Sequence, residues 1–309
     1  MAYKQQQLFR FCSTGNVSEV KRLIYNENVN LHARDEKGNS CVHSAARSNQ
    51  HKVLQLLIKI AADLNAVNND GFSPLHSAIY SGAECCVSLL LKEHILVNRF
   101  NNEGLTELML AVQIRENLDP PHQFAIIKQL LNHDEIDLRA ISRDRQRQSA
   151  LHYAAFCGNV FAVKRILEKD ASLHELQNAF KNLPIHLAAS SRNNDVIKAI
   201  YQKVPNLDIN VKGHKSVTPL QMALKFGHFS TVELLVHLKA DCNAFDRDGN
   251  TALHMAVEAF NDCCHGTKKL RCVQKGNDSK EIKRIRESLS TTLQINCSNL
   301  AVVFFLIEN

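Results

Sequence analysis

The sequence has 309 residues, 45% hydrophobic and 22% charged, a balance that supports a packed fold and excludes disorder, collagen and coiled coil. Its formal net charge of +6, from 37 Lys and Arg against 31 Asp and Glu, predicts at most a mild pull on nucleic acid or acidic partners. The longest apolar run, Leu300 to Ile307, is far shorter than the ~18 residues a membrane span needs.

The chain opens with Met1 to Gln7, which has neither the charged head nor the apolar stretch of a signal peptide. A cytoplasmic location is therefore expected, with a nuclear one open, and the 10 Cys are expected as free thiols rather than disulfides. From residue 40 onward one short phrase recurs: Ser or Thr, Pro or a small residue, an apolar residue, His, any residue, Ala. It starts at Ser40, Ser73, Thr106, Ser149, Leu183, Thr218 and Thr251, at steps of 33, 33, 43, 34, 35 and 33 residues. A degenerate copy begins near residue 7, with Cys12 in the Ala place and Val20, Leu23 and Ile24 matching Val53, Leu56 and Leu57.

Each unit predicts two antiparallel helices and a projecting turn. Ser73-Pro74 is a helix start, because the hydroxyl accepts an orphan N–H and proline has no N–H to leave unpaired. Gly82, Gly158 and Gly227 end that helix. A second helix follows with apolar residues at helical spacing, as in Val53, Leu54, Leu56 and Leu57. Polar turns such as Glu36-Lys37-Gly38, Asn69-Asp70-Gly71 and Arg247-Asp248-Gly249 supply the glycine that a tight turn requires.

Two interruptions break the period. Asn117, Asp119, Pro120 and Pro121 lengthen the turn between the helices of the unit that starts at Thr106. Residues 261–299 form a basic insertion inside the last unit, where eight Lys or Arg face four acids and so carry four of the six net charges. Within it, Ser279 caps an expected amphipathic helix bearing Ile282, Ile285, Leu289 and Leu293. That segment is read as a fold-back or solvated loop first, and as a membrane-surface or nucleic-acid contact second. Residues 300–309 are expected to be a truncated second helix of the last unit, with apolar Val302 to Phe305 pointing to further repeats or another domain beyond them.

The phrase, its period and the glycine turns resemble the ankyrin repeat family, over residues 4–260 and again at 300–309. The resemblance implies an all-α solenoid of about eight helix-turn-helix units with β-turn fingers, occupying residues 1–260. Asp35 to Asn39, Ala62 to Ala66 and Asp246 to Thr251, with the insertion in the last unit, also resemble the ankyrin region of mind bomb ubiquitin ligases. That likeness implies a substrate-docking region whose RING fingers lie outside this sequence.

Five His recur at the fourth place of the phrase: His43, His76, His152, His186 and His254. One per unit, they sit too far apart to share a metal, and the family likeness implies a hydrogen bond at the repeat junction. Gln221 and Met109 replace His without breaking the period. Cys263, Cys264, His265 and Cys272 offer four soft ligands, but their spacing does not match a structural zinc site. Cys12, Cys41, Cys157 and Cys242 read as small buried residues. No phosphate loop, serine elbow or kinase set is present, so neither catalysis nor a cofactor nor a small-molecule substrate is expected.

The resemblance implies that finger tips and outer positions of the first helices form a concave partner surface. By register these are Asn69, Asp70, Phe72, Tyr80, Asn102, Leu105, Ile114, Arg145, Gln148, Phe156, Phe180, Lys225 and Phe226. The large apolar members are expected to be exposed, as interface anchors are. Arg143, Arg145 and Arg147 beside Phe156 suggest an acidic or phosphorylated peptide as partner of a monomeric chain. Leu57 to Asn65 and Leu235 to Asn243 keep a spacing that resembles ankyrin sites of an asparaginyl hydroxylase, implying modification at Asn65 and Asn243.

Overall fold

The computed structural model describes residues 2–27, 29–113, 120–265, 303 and 305–307. The described residues form fifteen α-helices and no strand beyond one bridge between Ile141 and Ser149. No described helix is long and apolar enough to cross a membrane. They fall into two compact units, 1–154 and 155–309.

In the first unit the helices come in pairs: α1 (Ala2–Thr14) with α2 (Val17–Glu27), α3 (Cys41–Arg47) with α4 (His51–Lys59), α5 (Pro74–Tyr80) with α6 (Glu84–Leu90), and α7 (Glu107–Val112) with α8 (Pro120–Leu131). The first helix of each pair stacks on the first helix of the next, and the second on the second. The core is what those faces share. In α4, Val53, Leu54, Leu56 and Leu57 are buried while Lys52, Gln55 and Lys59 face water, so the apolar stripe lies at helical spacing on one side. Each such side chain contributes roughly 1.5–3 kcal/mol, which makes stacking rather than helix propensity the source of these short helices' stability.

In the second unit, α10 (Val160–Lys169), α12 (Asn194–Lys203) and α14 (Phe229–His237) stack in one row, and α11 (Pro184–Ser190), α13 (Pro219–Lys225) and α15 (Ala252–His265) in the other. The helix α9 (Ala150–Cys157) lies at the division between the units. The backbone of α15 continues through Cys263, Cys264 and His265, so the insertion begins as an extension of a repeat helix. Beyond His265, the zinc candidate Cys272 and the expected helix from Ser279 lie outside the described residues, as do Asn117 and Asp119 of the longer turn. Among the described residues no group of His, Cys, Asp and Glu is placed to hold a metal. Cys12 and Cys41 are buried free thiols, whereas Cys157 and Cys242, expected to be buried, are only partly covered.

The recurring phrase is a cap and a bridge at once. At Ser40 the hydroxyl donates to His43 Nδ1 at 2.8 Å, and the Ser40 N–H donates to the same nitrogen at 3.2 Å. With Nδ1 accepting, the proton resides on Nε2, which donates to the Phe72 carbonyl of the next finger at 2.9 Å. Ser73 with His76, Ser149 with His152 and Thr251 with His254 repeat the cap. His186 accepts from the Leu183 N–H at 3.2 Å and donates to the Val217 carbonyl at 3.1 Å. Gln221 does both tasks with an amide: Oε1 accepts from the Thr218 N–H at 2.9 Å, and Nε2 donates to the Ala244 and Asn250 carbonyls. Burial holds His43 below the ordinary imidazole range, so it stays neutral and keeps an accepting nitrogen. Met109 can form neither bond; at the other end of α7, Gln123 Nε2 donates to the Ala111 and Gln113 carbonyls at 2.9 and 2.8 Å.

One junction is electrostatically odd. Glu107 takes the proline place of the phrase, and its side chain is fully buried 3.8 Å from His76 Nδ1. Burial pushes its carboxyl from 4.5 up to about 7, against the pull of the Arg99 and Asn98 backbone N–H groups. Burial also pushes His76 from 6.5 down to about 4. Among the described residues, His76 Nε2, Glu107 Oε2 and Asn101 Nδ2 are buried without a hydrogen-bond partner.

His186→Ala is expected to lower the unfolding free energy by about 2 to 3 kcal/mol, from one cap and one buried bridge, and His186→Gln by less than about 1 kcal/mol. Urea titrations followed by circular dichroism measure this, and equal losses for the two variants contradict the bridge. Glu107 binds a proton in the folded state that the unfolded chain has released, so its contribution is complete below pH 4.5 and is lost as pH rises through about 7. His76 acts oppositely, adding stability as pH rises from about 4 to 6.5, so in the parent the two trends offset. Glu107→Gln should therefore gain on the parent between pH 4.5 and about 7.5, by at most about 3 kcal/mol; a difference independent of pH refutes this reading.

Candidate partner-binding groove

Five of the described fingers are built by one Asp or Asn, and those starting at Ser142 and Gly213 are the exceptions. Asp35 Oδ1 accepts from the N–H groups of Lys37 and Asn39 at 2.9 and 2.7 Å, and the Asp35 N–H donates to the Asn39 carbonyl at 3.0 Å. Asn68, Asn178 and Asp246 form the same turn, and Asn101 holds Leu105 in the same way. Successive fingers are then tied together. In the first unit the Asn69 N–H donates to the Lys37 carbonyl, the Asn102 N–H to the Asp70 carbonyl, and the Arg143 N–H to the Gly104 carbonyl, at 3.0, 3.0 and 2.9 Å. Gly71 is forced by this ladder: its φ is +74°, and a Cβ there would lie 2.8 Å from the Asn102 nitrogen.

Between the fingers and the first helices of the first unit lies a groove of about 360 Å³, lined by Lys37, Asn39, Arg47, Asn68, Asp70, Phe72, Ser77, Tyr80, Asn102 and Glu103. Its floor is aromatic: the Phe72 and Tyr80 rings lie 5.6 Å apart, and Phe72 also sits 5.7 Å from the His76 ring. Its charges are sorted. Lys37 and Arg47 belong to the repeat at residues 34–59, Asp70 to the next finger and Glu103 to the one after. None of these four side chains enters an ion pair among the described residues. A second concavity, about 320 Å³, lies against the second helices and is lined by His51, Gln55, Glu84, Cys85, Ser88, Leu89 and Gln129.

Of the residues expected from register, Asp70, Phe72, Tyr80 and Asn102 line this one groove. Asn69 is exposed beside it, but its amide donates to the Glu36 carbonyl at 3.2 Å and the Asn102 amide to the Asn69 carbonyl at 2.8 Å, so both side chains also brace the fingers. Arg145 is exposed, and Arg143 lies over the Phe100 ring at 4.0 Å. The expected exposure of Leu105 and Gln148 is corrected: each is 5% exposed. They hold the last finger position, whose carbonyl accepts from the residue that starts the finger, Asn101 for Leu105 and Ser142 for Gln148. At Phe72, which is half-buried, the same carbonyl also receives the His43 bridge. Ile114 lies outside the described residues. By register Lys37, Arg47 and Glu103 also fall at variable finger and first-helix places, but nothing in a register says which charges converge.

In the second unit Phe156, Phe180, Lys225 and Phe226 are exposed. Phe180 meets the His214 ring edge-on at 5.8 Å, and Phe226 stacks on His228 at 6.2 Å. Asn65 is half-buried, its Oδ1 accepting from the Leu96 N–H at 2.7 Å, while Asn243 is exposed.

Residues 8–58 match the family described as ankyrin repeats (many copies), and residues 60–139, 108–213 and 185–266 match ankyrin repeats (3 copies). The chain belongs to the ankyrin-repeat family. It is 28% identical over 140 residues to the target of rapamycin complex 2 subunit AVO2 of Saccharomyces cerevisiae, covering 45% of this chain and 32% of that protein. It is 32% identical over 118 residues to neurogenic locus notch homolog protein 1 of Danio rerio, covering 38% of this chain and 5% of that protein. The Homo sapiens notch homolog protein 1 matches at the same identity and length, over 4% of its own chain. The matched stretches are thus a third or less of these relatives, and what is shared is the ankyrin array.

Gly71→Ala is expected to cost about 1 to 3 kcal/mol, since the left-handed turn and the Asn102 contact both oppose a side chain. Thermal melts measure it, and a neutral substitution contradicts the finger ladder.

Proposed function

We propose that this ankyrin array is a non-catalytic recognition module that holds a protein partner against the groove formed by Lys37, Arg47, Asp70, Tyr80 and Glu103. Ankyrin repeats are an interaction fold, and the family supports that much directly. The observation that carries the groove is the set of charged side chains left without ion pairs around an aromatic floor. Four charged side chains without an ion pair among the described residues line the groove beside a 43%-exposed Tyr80, which leaves them available to a partner of complementary charge. Tyr80 is the anchor, because aromatic residues at the centre of an interface lose most water and carry most of the binding energy.

The wall of the groove is rigid, since its finger carbonyls and N–H groups are consumed by the ladder between fingers. A partner therefore meets a preformed surface and loses little to ordering it. The exposed Phe180, Lys225 and Phe226 of the second unit offer a separate contact area of similar make-up.

Affinity capture with the Tyr80→Ala/Arg47→Ala chain should recover at least tenfold less of the partner bound by the parent, with an unchanged helical spectrum. Gln55→Ala, on the second-helix face, should recover it normally. Equal recovery by all three chains places the partner elsewhere.

A further inference from the structure

The groove's charges are sorted along the stack, and the sorting predicts the chemistry of what it holds. Fingers follow one another in strict order, because Asn69 N–H binds the Lys37 carbonyl and Asn102 N–H binds the Asp70 carbonyl, each at 3.0 Å. Lys37 and Arg47 therefore stand at one end, Asp70 one step along and Glu103 at the far end. The Phe72 and Tyr80 rings, 5.6 Å apart, lie between the cationic end and Glu103. A uniformly acidic ligand would meet Asp70 and Glu103 and be repelled there, and a uniformly basic one would be repelled by Lys37 and Arg47.

Building on the groove as the partner site, we propose that it recognises an extended peptide of mixed charge: a carboxylate toward Lys37 and Arg47, an apolar side chain over Tyr80, and a cationic side chain toward Asp70 and Glu103. Helix pairs stack at about 10 Å, so the two-step span from Lys37 to Glu103 is roughly 20 Å. An extended chain covers it at about 3.3 Å per residue, which separates the two ligand charges by about six residues at most and about three at least. Specificity then rests on rejecting the wrong charge at either end as much as on attracting the right one. This selects against the acidic or phosphorylated peptide that the arginines near Phe156 suggest, and equally against nucleic acid.

The test uses the 309-residue chain and four fluorescein-labelled peptides of Gly and Ser, each with a central Leu and two charged positions about five residues apart. The peptides carry one Asp and one Lys, two Asp, two Lys, or two Ser at those positions, and fluorescence polarisation at low salt reports binding. The mixed peptide should bind roughly five- to tenfold more tightly than either like-charged one, the scale expected of exposed ion pairs made and repulsions avoided. Lys37→Glu/Arg47→Glu should shift the preference to the dibasic peptide, and Asp70→Lys/Glu103→Lys to the diacidic one. Equal binding of all four peptides, preference of the parent for a like-charged one, or no binding of any overturns the mixed-charge assignment. If all four bind equally and Tyr80→Ala weakens each of them, the groove stands and only the charge order fails. If the mixed peptide binds the parent and Tyr80→Ala leaves it unchanged, the groove itself is the wrong site and both readings fall.

Discussion

The fold depends on a neutral imidazole that bonds in two directions. An ankyrin helix of seven residues, such as Pro74–Tyr80, has more orphan backbone groups at its ends than hydrogen bonds inside it. The capping His answers both needs at once: one nitrogen accepts from the start of its own helix, and the other donates to the carbonyl that ends the next finger. At His43, His186 and Gln221 a unit is thereby tied to its successor through a bond that only a neutral ring, or an amide in its place, can make. Burial enforces neutrality, so the packing that hides the ring also preserves the tautomer that the bridge requires.

Finger closure also shapes the surface. The backbone bond from the residue that starts the finger to the carbonyl of the last finger residue sets that residue against the stack, where Leu105 and Gln148 are only 5% exposed and Phe72 is half-buried. Once that residue turns in, the groove is left to the residues on either side of it: the finger tips with Lys37, Asp70 and Glu103, and the ends of the first helices with Arg47 and Tyr80. The backbone bonds that close the finger thus decide which side chains a partner can reach. The ladder between fingers then fixes their order, turning a set of scattered surface charges into a sequence of charges.

The rule is broken in one repeat. Met109 offers neither an acceptor nor a donor, and the Gln123 amide of the following helix satisfies carbonyls at the far end of α7 rather than the missing cap or bridge. Glu107, standing where the phrase has proline or a small residue, brings a carboxyl into a site with too few partners and is held toward its protonated form by burial. These two residues are two positions apart in the repeat whose period is also broken, at a step of 43 rather than 33. That unit tolerates the exceptions because it gains stability from stacking on neighbours rather than from its own caps.

The period, the helix pairs and the finger turns were legible from residues alone, since each rests on local chemistry: a hydroxyl before a helix, a glycine where φ is positive, an apolar stripe at helical spacing. The family followed from the same repeats, and the surface positions Asp70, Phe72, Tyr80 and Asn102 followed from register. Register could not tell that Leu105 and Gln148 turn inward, because the pull on them comes from backbone bonds that exist only once the finger has closed. Nor could it reveal that Lys37 and Arg47 share a groove with Asp70 and Glu103. Which charges meet is a matter of distance across the stack, set by carbonyl and N–H positions some thirty residues apart, and distance of that kind is written in the packed structure alone.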